Sequence, residues 1–407
     1  MTQTIRPEIR FLNRRTPPHI LTLVLVSGLA ALSLNIFLPS LPSMAAAFGV
    51  DYALMQLSVS LYLAMTAGIQ LVIGPVSDRF GRRPVMLGAL AVFLLATLVA
   101  VTAPTYAVFI AARMAQAAVA TAFTLSRAVV RDMVPANEAA SMIGYVTMGM
   151  SVVPMVGPVV GGALDQAFGW QASFWLLAAG AAGLLALVWA DQGETAAARS
   201  ASFGAQARQY PELLRSQRFW GYVGASTFAS GAFFAYLGGA PYVGTQIFGL
   251  DPAELGFYFG APAVGYLVGN FLSGRYAMRL GINRMILIGA WTTTLGLLAL
   301  AGFEAAGLSH PALFFGLIIS VGLGNGIMLP SANSGMLSVR PQLAGSAAGL
   351  GGAITIGGGA ALSALAGWVL QTGGSALALV GLMLATSALS VVSVLWVLAR
   401  ERQLRQG

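Results

Sequence analysis

The segment GPVSDRFGRRPV, Gly74 to Val85, places one Asp and three Arg within ten residues of a chain in which only 8% of residues are charged. Lying between two apolar runs, it has the chemistry of a breakable closure. Asp78 can accept from an arginine or from the free N–H groups at a helix N-terminus, while Arg79, Arg82 and Arg83 suit the headgroup level. Gly74 lets helices approach closely there. A second group is Arg113 with Gln116, in RMAQA, inside another apolar run. An ionisable side chain in hydrocarbon costs about 2.5 to 3.5 kcal/mol on insertion scales, so Arg113 reads as a functional residue. A third is RAVVRDMVP, with Arg127, Arg131 and Asp132.

No combination for bond-making chemistry accompanies these residues. Cys is absent, His19 and His310 are far apart, and the carboxylates lie outside the middle of the apolar runs. An enzyme would need a nucleophile, metal ligands or an acid/base pair facing a cavity, so none is expected, nor any metal or cofactor. Gly357 to Gly359 follow no strand and lie inside an apolar run, and there is no P-loop, so direct use of ATP is not expected.

The elements that must position the charged groups follow from composition. The 407 residues are 57% hydrophobic with a mean hydropathy of +0.80. Apolar runs of about 20 residues, long enough to cross a hydrocarbon core as helix, recur throughout. Twelve are readable, over 19–41, 53–74, 84–103, 106–130, 139–164, 172–190, 219–246, 253–274, 285–304, 310–336, 343–369 and 374–398. Backbone groups in lipid must be satisfied within the segment, which makes these runs helices, and no period-2 barrel pattern is present. The expected class is an all-α polytopic membrane protein.

The net charge of +8 is distributed by membrane side and not as a nucleic-acid patch. All 21 basic residues are Arg, and 20 of them fall in alternate loops and the two tails, whereas the intervening loops hold only acids: Asp51, Asp165, Asp251, Glu254 and Glu304. The positive-inside rule then places both termini in the cytoplasm. The sequence also repeats itself. FGVD at Phe48 returns as FGLD at Phe248, Gly74, Arg79 and Gly81 return as Gly274, Arg279 and Gly281, and Gln70 returns as Asn270, all at an offset of 200. A six-helix unit used twice in one orientation places a binding cavity between the halves near the midplane. The expected organisation is a cytoplasmic tail 1–18, a six-helix bundle 19–190, a cytoplasmic linker 191–218, a second bundle 219–398 and a tail 399–407.

With its charged segment, this plan resembles the major facilitator superfamily, whose signature between helices 2 and 3 has the pattern of Gly74 to Arg83. PMVGPVVGGAL, with Pro154, Gly157, Pro158, Gly161 and Gly162, resembles the motif of the superfamily's antiporter branch. NIFLPSLPSMAAAFG, YLAMTAGIQLVIGPVSDRFGRRP and RAVVRDMVP resemble the bicyclomycin/chloramphenicol-resistance type of multidrug exporter, and Arg113 and Gln116 match its Arg-x-x-Gln-Gly motif with Ala117 in place of the Gly. The resemblance implies the major facilitator fold and a monomeric multi-pass carrier in a bacterial inner membrane. It also implies export of small amphiphiles by alternating access, driven by protons, with a gate at Gly74, Asp78, Arg79, Gly81, Arg82, Arg83, Arg131 and Asp132. The cavity it implies is lined by Asn35, Phe37, Tyr62, Gln70, Arg113, Gln116, Phe233, Tyr236 and Asn270.

The chain departs from that type at one informative place. Asn35 stands before IFLP where the type often has Asp, and no carboxylate lies in mid-span. A cavity with one Arg and no carboxylate favours neutral or weakly anionic compounds over cationic ones. It leaves Asp78 and Asp132 as the candidate titrating groups, since Asn does not ionise. The competing reading is an uptake carrier or facilitator for a small organic anion, because Arg113 suits a carboxylate and alternating access runs either way.

Overall fold

The computed structural model describes residues 9–134, 156–196, 210–340 and 343–406, together with Met142, Val146 and Val153. All regular structure among the described residues is helical. In chain order the helices are α1 (Ile20–Asn35), α2 (Leu41–Phe48), α3 (Tyr52–Phe80), α4 (Arg82–Val101), α5 (Tyr106–Gln116), α6 (Thr121–Met133) and α7 (156–168). They continue with α8 (Gln171–Asp191), α9 (Tyr210–Leu214), α10 (Gln217–Tyr242), α11 (Pro252–Phe259) and α12 (Ala261–Leu280). The last four are α13 (Ile282–Ala305), α14 (Pro311–Ser338), α15 (Ala344–Gly373) and α16 (Ala376–Gln406). Ten stretches among the described residues are long and apolar enough to cross a membrane, several of them built from two consecutive helices.

Helix ends and hydrophobic ends do not coincide. Gly74 to Phe80, read from sequence as part of a loop, belongs to α3, and Gly81 alone separates α3 from α4. With 29 residues α3 is about 43 Å long, against a hydrocarbon core of about 30 Å, so its charged last turns project into water as helix. Likewise α16 runs on through the expected tail 399–407 as far as Gln406. Hydropathy marks where lipid stops, while a helix continues as long as its backbone is satisfied.

The repeat is geometric as well as sequential. Both α3 and the α11–α12 pair cover the same interval at an offset of 200, Tyr52–Phe80 and Pro252–Leu280. Each is followed by a glycine in a backbone region closed to most side chains, Gly81 at φ +99° and Gly281 at φ +81°. Asp51 and Asp251 occupy the matching N-cap positions, and Asp251 completes a capping box with Glu254. His19 and His310 are N-caps too, each accepting through Nδ1 from the backbone N–H two residues on.

Two carboxylates at the arginine-rich end bind the first and last helices of each half together. Asp191, closing α8 and fully buried, accepts from the N–H groups of Leu12 (2.7 Å) and His19 (2.9 Å) and from the Thr22 hydroxyl (2.7 Å). Residues 9–18 thereby fold onto α8, with Gly193 N–H donating to the Thr16 carbonyl. In the second half Glu401 accepts from Arg218 (2.9 Å), Tyr222 (3.0 Å) and Asn283 (2.6 Å), joining α16 to α10 and α13. Removing a buried acceptor strands its donors. Asp191→Ala is therefore expected to cost about 3 kcal/mol, and Asp191→Asn less. The check is thermal unfolding of the purified protein in detergent, and unchanged midpoints would mean that this tie contributes little.

Candidate functional site

The buried apolar core is shared at one end and divided at the other. One cluster includes Ile36, Met44, Phe109 and Trp170 from the first half together with Tyr236, Leu255, Phe314 and Leu370 from the second. Two further clusters lie apart, one confined to residues between Leu23 and Val146 and the other to residues between Leu213 and Val397. The shared end is the acidic one. There Tyr52 Oη donates to the Gly238 carbonyl at 2.6 Å, and Gln56 Nε2 donates to both the carbonyl and the hydroxyl of Ser363 at 2.7 Å. Gln166 and Gln371 reach Asp251 and Asp51 across the same seam.

Glycines make this seam tight. A Cβ on Gly161 would overlap the Ile36 carbonyl, one on Gly162 the Pro252 carbonyl, and one on Gly256 the Pro158 carbonyl. Gly157 also faces α1, near Leu32 and Asn35, so α7 packs on two partners through its small residues. Pro154 lies outside the described residues.

Toward the arginine-rich end the halves enclose a cavity of about 410 Å³. From the first half it is lined by Ala31, Leu34 and Asn35 of α1 and by Phe123 and Arg127 of α6; Phe233, Tyr266 and Asn325 are among the residues that face them from α10, α12 and α14. Arg127 is the one charged residue in this lining, and among the described residues it makes no hydrogen bond or ion pair. Asn325 is 4% exposed and its Oδ1 has no hydrogen-bond partner among the described residues. The wall thus offers one cation, one free acceptor and aromatic faces.

Arg113 sits elsewhere, fully buried within the first half. Its guanidinium carbon lies 4.3 Å from the Phe37 ring centre and 4.6 Å from that of Tyr62, and its Nη1 donates to Gln116 Oε1 at 2.5 Å. Gln116 Nε2 donates onward to Thr97 at 2.7 Å, and Tyr62 shares a 2.7 Å hydrogen bond with Ser33. The arrangement ties α1, α3, α4 and α5 around one desolvated cation, a setting in which aromatic faces attract it most strongly. Its Nε and Nη2 have no hydrogen-bond partner among the described residues.

At the arginine-rich end, Arg82 is the hub of the charged segment. It pairs with Asp78 at 2.5 Å and with Asp132 at 3.1 Å, and it also meets the Ser77 hydroxyl. The carboxylate at the α4 N-terminus is that of Glu194, which accepts from the N–H groups of Arg82 (2.8 Å) and Arg83 (3.3 Å). A side chain at Gly81 would collide with this carboxylate. Arg83 donates to the Trp189 carbonyl at 2.9 Å, Arg79 lies over the Phe80 ring, and Arg131 is exposed. Asp78 here pairs within its own half.

Of the nine residues expected in the cavity, Asn35 and Phe233 line it. Phe37, Tyr62, Arg113 and Gln116 form the closed cluster instead, and Tyr236 is buried, donating to the Phe259 carbonyl and stacking on that ring. Gln70 lies beside Gly352, and Asn270 bonds its own helix at the Tyr266 carbonyl. Sequence reasoning passed over Arg127, Tyr266 and Asn325 as cavity residues and Glu194 as a cap. Asn325, an amide within GLGNGIMLP, carries the same polar-in-apolar signal that singled out Arg113, whereas the position of Glu194 depends on how the segment after α8 folds back.

Comparison with known proteins follows the same lines. A family model described as Major Facilitator Superfamily matches residues 23–251. The chloramphenicol resistance protein of Pseudomonas aeruginosa is 30% identical over 322 residues, 78% of this chain and 76% of that protein. Multidrug resistance protein D of Escherichia coli (strain K12) is 27% identical over 401 residues, 95% of this chain and 97% of that protein. The crystal structure of the human organic anion transporter MFSD10 (TETRAN) superposes with a TM-score of 0.68 at 19% identity, covering 93% of this chain and 98% of that one, which is a likeness of fold. These relatives are transporters and not enzymes.

The absence of Cys makes the cavity wall directly testable. Phe233→Cys, facing the cavity, is expected to react with a water-soluble maleimide about tenfold faster than Tyr236→Cys one turn further along α10. Equal rates would mean that water does not reach this cavity.

Proposed function

The chain belongs to the major facilitator superfamily, and from that premise we propose that it exports small amphiphilic molecules, neutral or weakly anionic, across the cytoplasmic membrane of a bacterium by alternating access. In this reading twelve helices form two six-helix bundles with both termini in the cytoplasm, and the arginine-rich end is the cytoplasmic one. The observation that carries it is the core, shared between the halves at the acidic end and divided at the arginine-rich end, with a cavity between them. This asymmetry supports a carrier whose halves are joined at the outer end and part at the inner one. The names of the drug-resistance relatives support export and a small-molecule cargo.

The cavity chemistry supports the substrate class. Arg127 without a carboxylate nearby in the lining disfavours a cation and attracts an acid or a strongly polarised oxygen, and the apolar wall accepts an aromatic or aliphatic body. Proton coupling is assigned to Asp78 and Asp132, which share Arg82. Protonation of either carboxylate weakens its hold on the guanidinium, which frees the charged segment to repair itself as the halves rock. An uptake carrier for an organic anion is the second reading, since the Arg127 guanidinium would serve either direction.

The test is drug susceptibility of an efflux-deficient bacterial host expressing the protein, over cationic, neutral and anionic compounds. Resistance to neutral and anionic compounds is expected, with loss of both in Asp78→Asn at matched expression. Arg127→Ala is expected to lower resistance to anionic compounds at least fivefold while leaving neutral ones within about twofold, a selective loss matching removal of one charge contact. No resistance to any compound at verified membrane expression would favour the uptake reading.

A further inference from the structure

At the arginine-rich end of the second half, outside the central cavity, lies a basic cleft of about 600 Å³ lined by Arg215, Arg218, Arg340 and Arg400 with Glu212. Glu212 pairs with Arg340 at 2.8 Å, and Arg218 with Glu401 at 2.9 Å. Arg215 and Arg400 have no carboxylate partner among the described residues, Arg400 donating only to Gln403. The α10 N-terminus, with Ser216 as its cap, opens into the same cleft and adds to its positive potential. The mechanism above uses none of these residues.

Immediately below lies a second hollow, about 430 Å³ and apolar, between α10, α15 and α16. Trp220, Gly224 and Phe228 line it from α10, Trp396 and Ser393 from α16, and Ile354 from α15. The two hollows share helix faces. On α10 the sequence Gln217, Trp220, Gly224, Phe228 descends one face at three- and four-residue steps, and on α16 the sequence Arg400, Trp396, Ser393 does the same. Each step is about one turn, 5.4 Å, so basic cleft and apolar groove are consecutive along both helices. Trp220 and Trp396 stand at the junction, 39% and 47% exposed, where interfacial indoles belong.

We infer that these two hollows form one binding site for an anionic phospholipid, the phosphate in the cleft on Arg215 and Arg400 and one acyl chain in the groove beside Trp220 and Trp396. The occupant is set by the chemistry. A soluble anion would use the cleft and leave the apolar groove in water, and an uncharged lipid would leave two guanidinium groups unpaired. A bilayer lipid satisfies both with one molecule at the depth where headgroup meets chain. Bound there, it bridges α10, α15 and α16 on the outer face of the second half.

The test uses the full chain in nanodiscs and in detergent. Native mass spectrometry with equal phosphatidylglycerol and phosphatidylcholine is expected to show preferential retention of phosphatidylglycerol, reduced about fivefold for each of Arg215→Gln and Arg400→Gln at roughly 1 kcal/mol per arginine. In parallel, phosphatidylglycerol brominated in its chains is expected to quench tryptophan fluorescence more than brominated phosphatidylcholine, and the excess is expected to vanish in Trp220→Phe/Trp396→Phe, whose side chains carry no charge. Equal retention of the two lipids, or a preference unchanged by the arginine variants, would overturn the site. Displacement of the phosphatidylglycerol signal by millimolar inorganic phosphate, with no excess quenching, would leave an anion cleft without a lipid and overturn the assignment equally.

Discussion

At Gly161, Gly162 and Gly256 there is room for a hydrogen and nothing more, because each Cα faces a carbonyl of the opposing helix. In lipid there is no hydrophobic force to press helices together, so close backbone approach and the dispersion and dipolar contacts it allows must do that work. These contacts join α7 to α1 and, across the halves, α7 to α11, all at the acidic end. Much else depends on this seam. The halves touch backbone to backbone at the acidic end, a cavity lies between them, and the described ion pairs at the arginine-rich end lie within their own half.

The distribution of charge follows the same constraint. The carboxylates that bind helices together, Asp191, Glu194 and Glu401, stand at or near helix ends, where free N–H groups, hydroxyls or arginines supply partners. Inside the membrane the cation Arg113 is enclosed by two aromatic faces and an amide, while Arg127 faces the cavity with no hydrogen bond or ion pair among the described residues. Two arginines fourteen residues apart thus have opposite settings. One braces four helices, and the other presents its charge to whatever enters.

The second half repeats the scaffold but not the charge. Gly281 reproduces the turn of Gly81, and Glu401 does for α10, α13 and α16 what Asp191 and Glu194 do separately for the first half. Arg82 with its two carboxylates has no counterpart at the same place, where Ile282 follows the glycine. A repeated fold with one charged hub makes the two halves unequal at this end, which suits the proposed gate.

Much of the architecture was legible in the sequence because lipid is an unforgiving solvent. Long apolar runs have to be helices, the alternation of arginine and acid along the chain sorts the two ends, and the offset of 200 between FGVD and FGLD announces a repeat that the backbone at Gly81 and Gly281 bears out. Sequence also singled out Arg113, since an arginine in an apolar run stands out without any structure. What it did not contain is which polar residues share a space. Arg127 looked like a loop charge and lines the cavity; Arg113 looked like a cavity charge and lies behind its wall; Asp78 could pair with an arginine or cap a helix, and it pairs with Arg82 while Glu194 is the cap. A residue's type and membrane depth are local properties of the chain. The rotation of its helix and the neighbour it meets come from packing among distant segments, and only the tertiary structure decides them.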